Sequence, residues 1–142
     1  MKLRILGAMI VSFALGADDA KDAKELEPLQ GDWQLVSATR NGKAMPDDMV
    51  KATRCTVKGN KFTITREGKA VEDGTLKLDG AKKPKEIDMN VGNADAQALG
   101  IYELDKDNFK LCYGRPGKDR PKEFAAKEGD AQSLSVWKRR KD

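Results

Sequence analysis

Residues 29–46, LQGDWQLVSATRNGKAMP, decide the fold. Apolar and polar residues alternate from Trp33 onward, which is typical of a β-strand with one buried face. Gly31 lets the chain enter this strand at a tight corner, and the indole of Trp33 is large enough to fill the end of a barrel. We therefore predict that this stretch forms the first strand and the floor of a small β-barrel.

The same alternation recurs along the rest of the chain. Short apolar runs with a period near two are interrupted by Gly, Asn, Asp and Pro, and no later window keeps a helical period over three turns. The chain is therefore predicted to be all-β. The predicted strands are 33–40, 53–58, 61–67, 71–79, 85–91, 98–105, 108–113, 121–126 and 133–139.

The connections favour a meander that closes on itself. KGNK (58–61), REGK (66–69) and DKDN (105–108) are tight polar links of the kind that join antiparallel hairpins. In the long link 41–52, Pro46 followed by two aspartates predicts a short helical turn. Closure removes exposed sheet edges, so we expect a single antiparallel up-and-down barrel of eight or nine short strands. Antiparallel closure needs an even number, so either 121–126 is a short or bent strand, or one pairing is parallel or absent.

Alternation also predicts which side chains point into the barrel. Strand 98–105 is left unassigned because both of its faces are apolar and Gly100 could mark a bulge. The predicted inward residues are Trp33, Leu35, Cys55, Val57, Phe62, Ile64, Leu76, Leu78, Ile87, Met89, Val91, Phe109, Leu111, Tyr113, Phe124, Leu134 and Val136.

The first residues predict export. Lys2 and Arg4 precede an apolar run of about eleven residues that ends in small residues, which is the pattern of a signal peptide and is shorter than the ~20 residues of a membrane-spanning helix. We assign 1–17 to the signal peptide, 18–28 to a flexible charged leader and 29–140 to one barrel domain. The mature protein is expected to be periplasmic or secreted and to have no membrane anchor.

Composition argues against several function classes. Two of the 27 basic residues lie in the signal peptide, which leaves 25 against 23 acidic residues and so no strong attraction for nucleic acid. The sequence has no histidine, which removes the usual general base and the commonest metal ligand. It also contains no nucleophile elbow, phosphate loop or dinucleotide motif. We therefore expect no enzyme, no metal and no cofactor.

The two cysteines are expected to stay apart. Export favours disulfides, but Cys55 shares the inward face with Val57, whereas Cys112 alternates with inward Leu111 and Tyr113. Separate thiols are the favoured interpretation, and a bridge is the alternative.

Several sequence blocks resemble a known family. Gly31-Asp32-Trp33 resembles the G-x-W that opens the first strand of lipocalins and related calycins. LQGDWQLVSA, NGKAMP, GTLKLD, KKPKEIDM, LGIYELD, FKLCYGRPGKDRPKEF and LSVWKR together resemble short exported lipocalin-like domains abundant in planctomycete-type bacteria. The resemblance implies a calycin-type barrel of uncharacterised role, in which a basic residue of the last strand covers the floor tryptophan. The implied floor residues are Gly31, Trp33, Trp137, Lys138 and Arg139.

The loop GRPGKDRP (114–121) carries the residues predicted to bind a ligand. Meander topology places it at the end opposite Trp33, so Arg115, Lys118 and Arg120 are expected at the rim of any open mouth, where they could hold an anionic group. One hypothesis is therefore a binding module for a small apolar or anionic ligand. The alternative is a structural or protein-interaction module of the cell envelope, with an interior filled by side chains; its protein partner would be unknown.

The export prediction can be checked directly. N-terminal sequencing of protein recovered from its native host should find Ala17 or Asp18 as the first residue, because the small residues before them fit a signal-peptidase site. Recovery of the chain with Met1 intact would contradict it.

Overall fold

The computed structural model describes residues 17–92 and 96–141. Within these ranges, one antiparallel sheet has nine strands, and eight of them close into an up-and-down barrel when the last strand pairs with the first. This confirms the predicted fold, with the even number that antiparallel closure requires. The strands are β1 (Gly31–Arg40), β2 (Lys43–Ala44), β3 (Thr53–Lys58), β4 (Lys61–Arg66), β5 (Lys69–Asp79), β6 (Lys85–Val91), β7 (Ala98–Asp105), β8 (Asn108–Gly114) and β9 (Gln132–Arg139).

The two ends of the barrel differ. The chain enters β1 and leaves β9 at one end, the floor, where short links also join β3 to β4 and β7 to β8. The opposite end, the mouth, carries the two long connections: residues 41–52, here called the flap, and residues 115–131, here called the strap. The extra strand β2 belongs to the flap and pairs only with the last two residues of β1.

A bulge in β1 makes room for the flap. The register of β1 against β9 shifts between Leu35 and Ser37, and β1 pairs with β3 only over its first four residues. A bulge bends its strand, so the upper part of β1 diverges from β3. Helix α2 (Asp47–Ala52) follows Pro46 in the gap, as the sequence predicted, and the side-chain amide of Gln34 donates to the carbonyl oxygens of Val50 and Thr53 at 3.1 Å each.

The predicted strand 121–126 is wrong. These residues belong to the strap, which lies on the outer wall: the Cys112 thiol is 3.2 Å from the carbonyl oxygen of Ala125, and the ammonium of outward-facing Lys110 lies 4.7 Å from the Phe124 ring centre. Phe124 is therefore outside the barrel, contrary to the prediction. Residues 121–126 have the apolar pattern of a strand because this part of the strap covers an apolar part of the outer wall.

The position of the strap on the outer wall also explains why both faces of β7 are apolar. The registers of β7 with β6 and β8 are continuous, so Gly100 marks no bulge. Tyr102 lies on the inner face, whereas Ile101 lies opposite Cys112 on the outer face, and both of these are almost fully buried. An outer apolar face is stable here because the strap excludes water from it.

The predicted inner face of β9 is also wrong. Trp137 pairs with Phe109 and Ser135 pairs with Leu111, so these residues face inward. Leu134 and Val136 instead pair with outward Cys112 and Lys110. Alternation alone favoured the aliphatic residues, but the indole of Trp137 takes the interior and donates to Ser135 Oγ at 3.0 Å.

The segment before the barrel, for which a flexible leader over 18–28 is predicted, contains regular secondary structure. Helix α1 (Ala17–Leu26) and a 3₁₀ turn (Glu27–Leu29) precede β1. Leu26 and Leu29 are buried, and Glu25 accepts the backbone N–H of Gly80 at 2.7 Å. The predicted signal peptide, apart from Ala17, lies outside the described residues. Among the residues described, the helices are too short and too polar to cross a membrane.

The floor is built around Trp33 and Arg139, as the sequence predicted. The guanidinium carbon of Arg139 lies 4.4 Å from the Trp33 ring centre, and its terminal nitrogens donate to the carbonyl oxygens of Gln30 and Pro28 at 2.6 Å each. The indole N–H of Trp33 donates to the Leu29 carbonyl oxygen at 2.9 Å. These contacts join β1, β9 and the 3₁₀ turn at one point.

Two other predicted floor residues, Gly31 and Lys138, differ in their relation to the Arg139–Trp33 contact. Gly31 has a φ of +116°, and a side chain there would meet the Arg139 guanidinium at 3.3 Å, so glycine suits both the backbone and the contact. Lys138 is exposed and points away from the ring, so Arg139 alone covers the indole.

Trp33→Ala should lower the free energy of unfolding by about 3 to 5 kcal/mol, because it empties a packed interior site. Arg139→Ala should cost about 2 kcal/mol through the lost cation–π contact and hydrogen bonds. In the double variant, the loss of unfolding free energy should be about 1 kcal/mol smaller than the sum of the two single losses. Urea denaturation measures all three, with exposed Lys138→Ala as the matched control. Strictly additive costs would contradict the described contact.

Candidate ligand-binding cavity

The barrel encloses a cavity of about 890 Å³ that opens at the mouth. It extends from Leu29 and Trp33 at the floor to Arg115 and Pro116 at the mouth. Its wall is mainly apolar, and the flap contributes Met45, Pro46 and Met49 to the upper part. The space is of the size that takes up small organic ligands in other proteins.

The cavity exists because large and small inward side chains are separated along the barrel axis. Most inward aromatic residues, namely Trp33, Phe62, Tyr102, Phe109 and Trp137, belong to the floor half of their strands, where Trp33 and Phe109 have ring centres 5.9 Å apart. Tyr113 also lines the cavity but lies near the mouth end of β8. Higher on the wall several inward residues are small: Ala38, Ala98, Ser133 and Ser135 all line the open space. The concentration of aromatic rings near the floor therefore leaves open space in the upper half.

Charged residues gather where the cavity meets solvent. Four cations and one carboxylate contribute to the lining: Arg40, Lys43, Arg66, Arg115 and Glu72. Over residues 17–92 and 96–141, none of these five takes part in an ion pair. The lining of the cavity therefore carries a net positive charge where it meets solvent.

Hydroxyl groups orient two of these cations. The Nε of Arg40 donates to Ser133 Oγ at 3.2 Å, and the Nε of Arg66 donates to Thr53 Oγ1 at 3.0 Å. Thr53 is buried and in turn donates to the Met49 carbonyl oxygen at 2.6 Å. Each guanidinium is thus held through its inner nitrogen.

The predicted rim residues are only partly brought together. Arg115 lines the mouth as predicted. Lys118 is exposed on the strap and does not belong to the described lining. Arg120 lies on the outer wall, where its guanidinium is 2.8 Å from Asp88 Oδ1 and donates to the Gly100 carbonyl oxygen at 2.9 Å. Arg120 fastens the strap to the barrel.

Sequence reasoning missed the other mouth residues, although alternation contained the signal. Arg66 continues the inward series of Phe62 and Ile64, and Arg40 lies two residues after inward Ala38. The last inward position of a strand at an open end is where a charge can line a cavity and still reach water.

The two cysteines are free, which confirms the favoured interpretation. Cys55 lines the cavity, whereas Cys112 is buried between the outer wall and the strap. Burial, reinforced by the carboxylates of Asp32 and Glu72, raises the pKa of Cys55 to about 12. The cavity thiol therefore stays protonated near neutral pH and is a weak nucleophile.

A similar effect acts at the floor. Burial, together with the nearby carboxylates of Glu25 and Asp79, raises the pKa of Tyr102 to about 12. The acidic group Glu25 belongs to α1, so the segment before the barrel contributes to the electrostatic environment of the interior.

No protein-family model, curated protein or solved structure matches this chain. The resemblance to planctomycete-type lipocalin-like domains therefore remains a prediction from the sequence blocks.

The raised pKa of Cys55 predicts a specific loss of stability in alkali. The unfolded thiol ionises near its ordinary pKa of 9.0 and the folded one near 12, so its contribution is fully present below pH 9 and is lost as the pH rises toward 12. Urea midpoints at about pH 8 and about pH 10.5 should therefore fall less for Cys55→Val than for the wild type. An equal fall in both proteins would show that the thiol is not buried.

Proposed function

We propose that this protein binds a small, predominantly apolar molecule inside its barrel. The observation that carries the proposal is the cavity of about 890 Å³, apolar along its wall and open at one end. A barrel that served only as a structural or interaction module would gain stability by filling that space, because empty apolar volume costs packing energy. The retained cavity therefore favours ligand binding over the alternative of a filled barrel.

We propose binding without chemical conversion of the ligand. The reactive groups that line the cavity support this: the Cys55 thiol has its pKa raised to about 12 by burial, and the Ser135 hydroxyl accepts the indole N–H of Trp137. Neither group is paired with a base in the described contacts, and nucleophilic catalysis by a thiol or hydroxyl needs such activation.

The place of action is proposed to be outside the cytoplasm, in the periplasm or the surrounding medium. The basic start, the short apolar run and the small residues before Asp18 support export. The resemblance of the seven sequence blocks to exported lipocalin-like domains supports the same location and a calycin-type role.

A neutral apolar probe tests binding without involving charge. N-phenyl-1-naphthylamine fluoresces more strongly in apolar surroundings, so the protein should enhance its emission saturably. Ala38→Phe should weaken the probe's affinity at least about tenfold, because Ala38 lines the cavity and the added ring takes up ligand space.

Ser37→Phe is the matched control. Ser37 is the neighbour of Ala38 on β1 but is exposed on the outer face, so this variant should bind the probe as the wild type does. Circular dichroism and urea midpoints should establish that both variants are folded. Absence of saturable enhancement with the wild type, or equal affinity in both folded variants, would contradict the proposal.

A further inference from the structure

We infer that the ligand is an amphiphile with one acidic group, bound tail first, and that Arg40, Arg66 and Arg115 hold the acid at the mouth. This inference rests on the proposed binding function and specifies its ligand class. It differs from the sequence prediction, which assigned the acid to Arg115, Lys118 and Arg120.

The first argument is the unused hydrogen-bonding capacity of the mouth arginines. Arg40 and Arg66 each use Nε on a hydroxyl group, and among the described contacts their terminal nitrogens have no hydrogen bond. A guanidinium held by its inner nitrogen presents a fixed pair of donors, which matches the two oxygens of a carboxylate or the oxygens of a phosphate or sulfate. Half-buried Arg66 also has no carboxylate within ion-pair distance in the described chain.

The second argument is that the cations and the apolar residues line one continuous cavity. Arg40, Arg66 and Arg115 line the same cavity as Trp33 and Leu29 at its floor. A wholly apolar ligand would bury its surface against the wall but leave these cations without a partner. A ligand with an acid at one end satisfies both parts of the site, and its apolar end must then point toward the floor.

The third argument concerns where the acid can lie. Glu72 lines the wall opposite Ile64 in the β4–β5 register, below the last inward residue Arg66. Its negative charge opposes an acid bound deeper in the barrel, while the cations attract one at the opening. The charge pattern thus favours an acid at the opening and an apolar end that points toward the floor.

A matched pair of probes separates this inference from the proposed function. Decanoate and decan-1-ol have tails of the same length and differ in the charge of the head, and calorimetric titration of the protein with each gives both affinities. The wild type should bind decanoate at least about tenfold more tightly than decan-1-ol, because charge-assisted hydrogen bonds are stronger than neutral ones. In the double variant Arg40→Gln/Arg66→Gln, decanoate should fall to the affinity of decan-1-ol, and the alcohol should be unaffected.

The control removes the same charge elsewhere. Arg54 and Lys118 are exposed and do not line the cavity, so Arg54→Gln/Lys118→Gln should keep the tenfold preference. If decanoate binds the wild type no better than the alcohol, the acidic-amphiphile class is overturned while binding in the barrel stands. If both double variants behave alike, the assignment of the acid to Arg40 and Arg66 is overturned. If neither probe binds the wild type, the inference and the proposed function both fail.

Discussion

The contact between Arg139 and Trp33 is the interaction on which the rest of the structure depends. A meander of short strands has two exposed edges until its first and last strands pair, and here that pairing runs from Trp33 opposite Arg139 to Arg40 opposite Ser133. At the floor end, the guanidinium covers the indole and also donates to the carbonyl oxygens of Pro28, in the 3₁₀ turn, and of Gln30, just after it. One side chain thus joins both ends of the sheet and the segment that precedes it.

Closing the barrel at the floor leaves the other end free to open. Most of the large rings lie near Trp33, and small residues on the upper wall such as Ala38 and Ser133 leave the cavity open. The bulge after Leu35 bends β1 away from β3, and the flap enters the gap with methionines that border the opening. Methionine side chains adapt easily to different apolar shapes, which suits the entrance of the proposed ligand site.

Much of the fold could be predicted from the sequence because a period of two reports one buried face. The prediction from alternation failed where a second surface of the sheet is buried. The strap covers Ile101 and Cys112 on the outer wall, so residues 121–126 read as a strand and the sides of β7 could not be assigned. In β9, Trp137 and Ser135 take the interior in place of Leu134 and Val136, and only the register with β8 decides this. The site was partly predictable: topology placed Arg115 at the mouth, but nothing local in the sequence indicates that Arg120 turns back to Asp88.

The central proposal is that the cavity above the Trp33 floor holds a small amphiphile where the protein acts. Mass spectrometry of the protein purified from its native host, compared under native and denaturing conditions, tests it most directly. The account predicts a non-covalent adduct that is released on denaturation and is an organic acid with an apolar chain. A native spectrum of the polypeptide alone, from protein purified without detergent or organic solvent, would contradict it.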